Sequence, residues 1–218
     1  MDLQDIHKRI LFLANKDFHF WSPAEIDTNL HMAQMWLYNE TYRNYAKDQE
    51  QQDSLSPFKV KYTFTTSNTP LGVISFSADY LHFLGLYTQL YNNTYQRNEY
   101  YQVKVVNEDE LGQRLNSQLT PVSLTKPIAT ISAFGKVQLY PELPNTGYAF
   151  YLKKPDTPNF VYTMTGRTVN YNQAGSTQLQ WNDTDTNQII IKALQFMGVN
   201  ISNPQIVQFT ENKDQQKI

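Results

Sequence analysis

Apolar positions along the chain change period twice, and those changes divide the sequence. Ile6, Ile10 and Leu13 recur at helical spacing and predict a short helix over residues 3–15. An aromatic knot, Phe18-His19-Phe20-Trp21, leads into Ser22-Pro23-Ala24-Glu25. That tetrapeptide is a capping box. Ser22 is placed to accept from a first-turn N–H, Pro23 stands where its missing N–H costs nothing, and Glu25 reaches back to the Ser22 N–H. Trp21 and Ile26 hold the two positions of a hydrophobic staple. The helix after it is expected to run to about Ala46, with Ile26, Leu30, Ala33 and Leu37 as its inner stripe, continued by Thr41 and Tyr42. Trp36, Tyr38 and Tyr45 fall off that stripe or at its margin, which widens the apolar face beyond what one core needs.

Residues 47–57 are polar, end in proline and read as a linker. Beyond them the period becomes two. Phe58, Val60, Tyr62 and Phe64 alternate with polar residues, as in a half-buried strand. Further strands are expected at 71–77, 83–91, around Tyr101, Val103 and Val105, and at 128–134, 136–140 and 148–153. A short helix over 108–118 follows the cap-like Asn107-Glu108-Asp109-Glu110. Pro121, Pro127, Pro141, Pro144, Pro155 and Pro158 punctuate this region, as they do at strand edges and in loops. Residues 164–180, rich in Gly, Asn, Gln and Thr, read as an extended loop. A last helix starts near Asp183–Asp185 and runs through Ile190, Leu194 and Met197 to Gly198, its C′ residue. The tail from Thr210 is polar and reads as frayed. Helices, then mostly antiparallel strands, then a helix make an α+β protein. The divisions expected are an N-terminal helical region (1–50), a β-rich domain with one short helix (51–182), and a C-terminal helix with a polar tail (183–218).

Composition changes this picture in one respect. Charged residues make up 17% of the 218, against about 25% in typical domains. The polar surface is instead built from Asn, Gln, Thr, Ser and tyrosine hydroxyls. Such a surface suits a subunit covered by neighbours, and it also suits glycan binding. The net charge of −2 gives no global field for nucleic acid. The polar, acidic N-terminus does not read as a signal peptide, and no run approaches the roughly 18 apolar residues of a membrane span. The sequons at Asn39, Asn92, Asn182 and Asn200 read as chance matches in an Asn-rich chain.

Candidate chemistry is sparse. The absence of cysteine removes thiolate nucleophiles and Cys-ligated metals. His7, His19, His31 and His82 show no metal spacing and read as surface or partly buried residues. Glu108 with Glu110, and Asp183 with Asp185, precede helices and have a capping role. The run from Asp183 imitates a calcium loop but carries Gln188 and Leu194 where that loop needs Gly and Glu. There is no G-x-S-x-G, P-loop or G-x-G-x-x-G. No catalytic, cofactor or metal residue is therefore assigned. Tyr87, Tyr91, Tyr95, Tyr100 and Tyr101 surround Asn92-Asn93-Thr94. They suit strand packing first, and an interface or sugar stacking second.

Three stretches resemble a known family. Phe20-Trp21-Ser22-Pro23-Ala24-Glu25-Ile26-Asp27 with Ala33-Gln34 is similar to the N-terminal helical hairpin of tailed-phage neck proteins. Lys126-Pro127-Ile128-Ala129, Val137-Gln138-Leu139-Tyr140-Pro141 and Tyr148-Ala149-Phe150-Tyr151-Leu152-Lys153-Lys154-Pro155 resemble their β-domain. Leu179-Gln180-Trp181, Asn187-Gln188-Ile189-Ile190-Ile191-Lys192-Ala193-Leu194 and Gly198-Val199 resemble their closing helix. The chain thus resembles the ring, or head-to-tail connector, proteins of crAss-like phages over most of residues 18–210.

The resemblance implies a virion protein made in the host bacterial cytoplasm and built into the phage neck. It implies a homo-oligomeric ring of twelve copies, in contact with the portal protein and with neighbouring ring or tail proteins. DNA would be met only as the passing genome, with no cofactor and no membrane. Interface residues expected on this reading are Trp21, Trp36, Tyr38, Tyr45, Tyr91 and Tyr95. A tail-associated or adhesion protein that binds glycans is the alternative, and an enzyme such as a virion-associated hydrolase is a third reading.

Overall fold

Seventeen short segments of regular backbone follow one another in the computed structural model, which describes residues 1–16, 20–65, 72–133, 135–142, 146–166 and 168–199. The helices are α1 (Leu3–Ala14), α2 (Pro23–Arg43), α3 (Gln49–Ser54), α4 (Glu108–Leu115) and α5 (Asp183–Phe196). The strands are β1 (Lys59–Thr65), β2 (Val73–Ser75), β3 (Tyr80–Asn92), β4 (Arg97–Gln102), β5 (Lys104–Val105), β6 (Ile128–Ala133), β7 (Lys136–Tyr140), β8 (Thr146–Lys153), β9 (Tyr162–Thr165) and β10 (Thr168–Tyr171). Two 3₁₀ turns, Ser56–Phe58 and Gln173–Gly175, complete the set. The protein is of the α+β class.

Two compact units divide the chain, and they do so differently from the sequence-based boundaries. One unit combines residues 1–57 with everything from Pro155 onward, and the other is Phe58–Lys154. Residues 155–182 leave the β-rich region because their polar groups are committed to the helices. Gln178 accepts from the Leu3 N–H at 2.7 Å and donates to the Tyr171 hydroxyl at 2.6 Å. Tyr171 in turn donates to Asp2 at 3.0 Å. Such pairings carry no hydrophobic period, so nothing in the local pattern announces them.

In the helical unit, α2 starts as its residues dictate. The Ser22 N–H donates to Glu25 Oε2 at 2.8 Å, and Ser22 Oγ accepts from the Glu25 N–H at 3.3 Å. The Ser22→Ala variant is expected to lose about 1 kcal/mol, a fall in Tm of roughly 2–4 °C at this chain length. Thermal unfolding followed by circular dichroism reads it directly. Helix α2 ends at Arg43, three residues short of the expected Ala46. Its main packing partner is α5 rather than α1, so the arrangement is not a simple two-helix hairpin. Ile26, Leu30, Ala33 and Leu37 are buried on α2, and Ile189, Ile190, Ala193 and Leu194 on α5. Helix α1 buries Leu3, Ile6, His7, Ile10 and Leu11, while Leu13, expected on its stripe, is exposed. The expected linker at 47–57 holds α3, capped by Asp48, whose side chain accepts from the Glu50 N–H at 3.0 Å. The expected loop at 164–180 contains the β9–β10 ribbon. Neither of its strands fully buries a face, and only β10 alternates, over four residues, between exposed and half-buried positions.

The second unit is a β-sandwich. One sheet has the order β1-β8-β3-β4, all antiparallel; the other has the order β2-β7-β6-β5, in which only β5–β6 is parallel. Phe64, Leu86 and Ala149 from the first sheet meet Ile74, Ala129, Val137 and Leu139 from the second in one core. The expected alternation of Tyr101, Val103 and Val105 breaks after Val103: Val105 is exposed and Val106 is buried in its place. The chain changes sheets at Val103, whose N–H donates to the Leu86 carbonyl, while that of Val106 donates to Ala129 in the other sheet. The strand expected at 71–77 shortens to β2, the one at 83–91 lengthens to β3, and the helix at 108–118 ends at Leu115. Phe18, His19, Phe134, Pro144 and the tail from Thr210 lie outside the described residues.

Candidate functional site

Surface, rather than cleft, is where the unusual residues collect. On the helical unit, Met32 and Trp36 stand one turn apart on α2, both exposed. Lys192 of α5 places Nζ 4.3 Å from the Trp36 ring centre and 5.4 Å from that of Phe196, which ties the rings into one patch. Trp21 is half-buried and meets Phe20 edge-on at 5.4 Å. Tyr45 is half-buried against Tyr42, with ring centres 6.3 Å apart, and burial raises its phenol pKa above the ordinary range.

Tyr38 does not belong with these surface residues. It is 0% exposed and edge-on to Trp181 at 6.5 Å, and burial, followed by the neighbouring Tyr42 and Tyr45, drives its phenol pKa far upward. The α2 face is wider than its inner stripe: Asp27, Gln34, Tyr38 and Thr41 make a second buried row. Phe12 and Leu119, 83% and 94% exposed, are apolar surface positions that the sequence reading did not single out. Phe12 had a signal, since it lies off the stripe of α1; Leu119 lies in a loop and had none.

Among the described residues, one of the candidate histidines is fully buried. His7 is 0% exposed and stacks on Phe160 with ring centres 4.3 Å apart. Its Nε2 lies 2.8 Å from Asp27 Oδ1, and Asp27 Oδ2 accepts from the Phe160 N–H at 2.7 Å. This network joins α1, α2 and the segment before β9, and its enclosure leaves no approach for a substrate. The expectation of a surface or partly buried residue is corrected at His7. Its place beside Leu3, Ile6 and Ile10 on the apolar face was the available signal. His31 is half-buried, 3.0 Å from the Gln34 amide, and burial lowers the pKa of His82.

Of the carboxylates at helix starts, Asp185 is held locally by Asn182 and Asp183 by the distant terminal amine, while the start of α4 makes no side-chain cap hydrogen bond. Asn182 accepts from the Asp185 N–H at 2.8 Å, and the terminal amine at 2.8 Å from Asp183 holds that carboxyl below its usual range. Among the described residues, no group of three or more His, Asp or Glu side chains is placed to hold a metal ion. Among the described residues, no helix is long and apolar enough to cross a membrane.

On the sandwich, Tyr91 and Tyr95 flank the tip of the β3–β4 hairpin, 59% and 65% exposed, with the Arg97 guanidinium 5.3 Å from the Tyr95 ring. The register places Lys61 of β1 opposite Phe150 of β8 and Thr63 opposite Tyr148. It places Tyr148 opposite Tyr87 of β3, and Gln89 opposite Tyr100 of β4. Strand alternation turns these residues away from the core that Phe64, Leu86 and Ala149 fill. Lys61 Nζ lies 3.9 Å from the Tyr148 ring and Lys59 Nζ 5.7 Å from Phe150. Tyr100 and Tyr148 are 5.6 Å apart, and a hydrogen bond with Tyr148 raises the Tyr100 phenol pKa. Several of these tyrosines stand out in the sequence, but only strand pairing brings them beside the lysines of β1.

No protein-family model and no curated protein matches the chain.

Proposed function

We propose that the protein is a non-enzymatic structural subunit that works by packing against other protein chains, as a ring-forming neck protein of a tailed phage. It would bridge the portal to the next ring or tail component and continue the DNA channel. The observation that carries the reading is the presence of exposed apolar and aromatic surface on each of the two units. The helical unit presents Phe12, Met32 and Trp36; the sandwich presents Tyr91, Tyr95 and Leu119. A subunit in a closed ring uses two different faces, one for each neighbour. Aromatic residues are enriched at such interfaces and charged ones depleted, in line with the 17% charge of the chain.

The glycan-binding alternative draws on one observation, the outward aromatic face of the β1-β8-β3-β4 sheet, where Gln89 and Asn98 supply amides.

Mass and symmetry decide between assembly and a solitary module. The chain mixed with its portal is expected to appear as a closed ring by cryo-EM. A chain that stays monomeric with the portal and is absent from virions would overturn the reading. Trp36→Glu, at an exposed position, is expected to leave Tm near wild type and to weaken assembly by about tenfold or more.

A further inference from the structure

The outward face of the β1-β8-β3-β4 sheet combines several aromatic rings from adjacent strands with two lysines. Tyr87, Tyr100, Tyr148 and Phe150 form a row of rings across three neighbouring strands, with centres 5.6 Å apart for Tyr100–Tyr148 and 6.1 Å for Tyr87–Phe150. Lys59 and Lys61, both exposed on the edge strand β1, hold their ammonium groups beside that row. No Asp or Glu occupies an outward position on any of the four strands. The one carboxyl on these four strands, Glu99, belongs to the opposite face of β4 and accepts from Asn92 at 2.9 Å and Tyr101 at 2.7 Å. The charge of the whole unit agrees: residues 58–154 carry nine Lys and Arg against six Asp and Glu, in a chain whose net charge is −2.

The rings stand at angles, edge-on for Tyr87–Phe150 and tilted for Tyr100–Tyr148, so they suit separate planar groups on a flexible chain, and two lysines without a facing carboxylate ask for an anion. A neutral sugar meets the first requirement and leaves the lysines unused. A nucleic-acid single strand meets both, because its bases stack on exposed rings while its phosphates follow a positive edge. A duplex does not, since its bases are already stacked on one another. We propose that this sheet face binds single-stranded nucleic acid with little sequence preference, its bases on Tyr100, Tyr148 and Phe150 and its phosphates along Lys59 and Lys61. Tyr91 lies on this same face, two residues beyond Gln89 on β3, whereas Phe12, Met32 and Trp36 belong to the helical unit, so failure of nucleic-acid binding would leave the assembly reading standing.

The test is fluorescence anisotropy of a labelled oligothymidylate titrated with the full chain at about 50 mM salt and above. Binding is expected, with affinity falling on salt addition by a log–log slope of about −0.7 for each phosphate engaged. Lys59→Glu with Lys61→Glu, both on exposed positions, is expected to weaken binding about tenfold or more and to flatten the slope by about 1.4. Tyr100→Ala is expected to lose about fivefold or more with the slope unchanged. Circular dichroism confirms that each variant keeps its fold. The proposal is overturned by the absence of binding at low salt, by equal affinity for a duplex of the same length, or by an unaltered Lys59→Glu/Lys61→Glu variant. A neutral oligosaccharide that binds in place of the oligonucleotide, and is lost in Tyr100→Ala, assigns the face to glycans and overturns it as well.

Discussion

Asp27→Ala is expected to destabilise the protein by about 3–5 kcal/mol, the range found when one partner of a buried pair is removed. Asp27 is 7% exposed and serves two donors from two other parts of the chain, His7 Nε2 at 2.8 Å and the Phe160 N–H at 2.7 Å. Alanine leaves both buried without an acceptor, and an orphaned buried polar group costs about 1–3 kcal/mol each. The cavity left by the carboxyl adds to the loss. At this chain length the change corresponds to a fall in Tm on the order of 10 °C. Asp27→Asn keeps one oxygen acceptor and is expected to lose roughly half as much. Urea unfolding followed by far-ultraviolet circular dichroism measures both. An Asp27→Ala protein within about 0.5 kcal/mol of wild type, the scatter of ordinary surface substitutions, would mean that the network does not hold α1, α2 and the Phe160 segment together.

Local signals were legible in the sequence and long-range ones were not, and the division follows from physics. The α2 start could be read because Ser22, Pro23 and Glu25 act within one turn. β1 could be read because Val60, Tyr62 and Phe64 share one half-buried face. The interleaved unit could not, because Gln178 and Tyr171 are held to the N-terminal helix by hydrogen bonds across more than 160 residues. Tyr38 illustrates the same limit. Its place on the second row of α2 is periodic, but burial depended on Trp181 arriving against it. The aromatic sheet face lay between the two cases. Lys59-x-Lys61 and Tyr148-x-Phe150 each show that two side chains share a face. That both pairs share the same face required the β1–β8 register.

That register makes its own prediction, and Gly147→Ala tests it. Gly147 lies on β8, a central strand, between Phe64 of β1 and Thr88 of β3. A Cβ there would come 2.7 Å from Phe64 Cζ and closer still to the Tyr87 carbonyl oxygen. The Phe64 ring is buried in the sandwich core, 4% exposed, and has little room to turn. The carbonyl is backbone of a paired strand and cannot swing aside without breaking the β3–β8 ladder. Overpacking of this kind costs typically about 1–3 kcal/mol, and a backbone obstacle places Gly147→Ala at the upper end. Gly112→Ala is the control. Gly112 lies inside α4 with nothing within 4 Å of its would-be Cβ. Alanine there is expected to stabilise by up to about 1 kcal/mol, since glycine is the poorer helix former. The two identical chemical changes should therefore move unfolding midpoints in opposite directions. If Gly147→Ala were neutral, β1 and β3 could not both flank β8 in this register. The shared face of Lys61, Tyr148 and Tyr100 would then lose its basis.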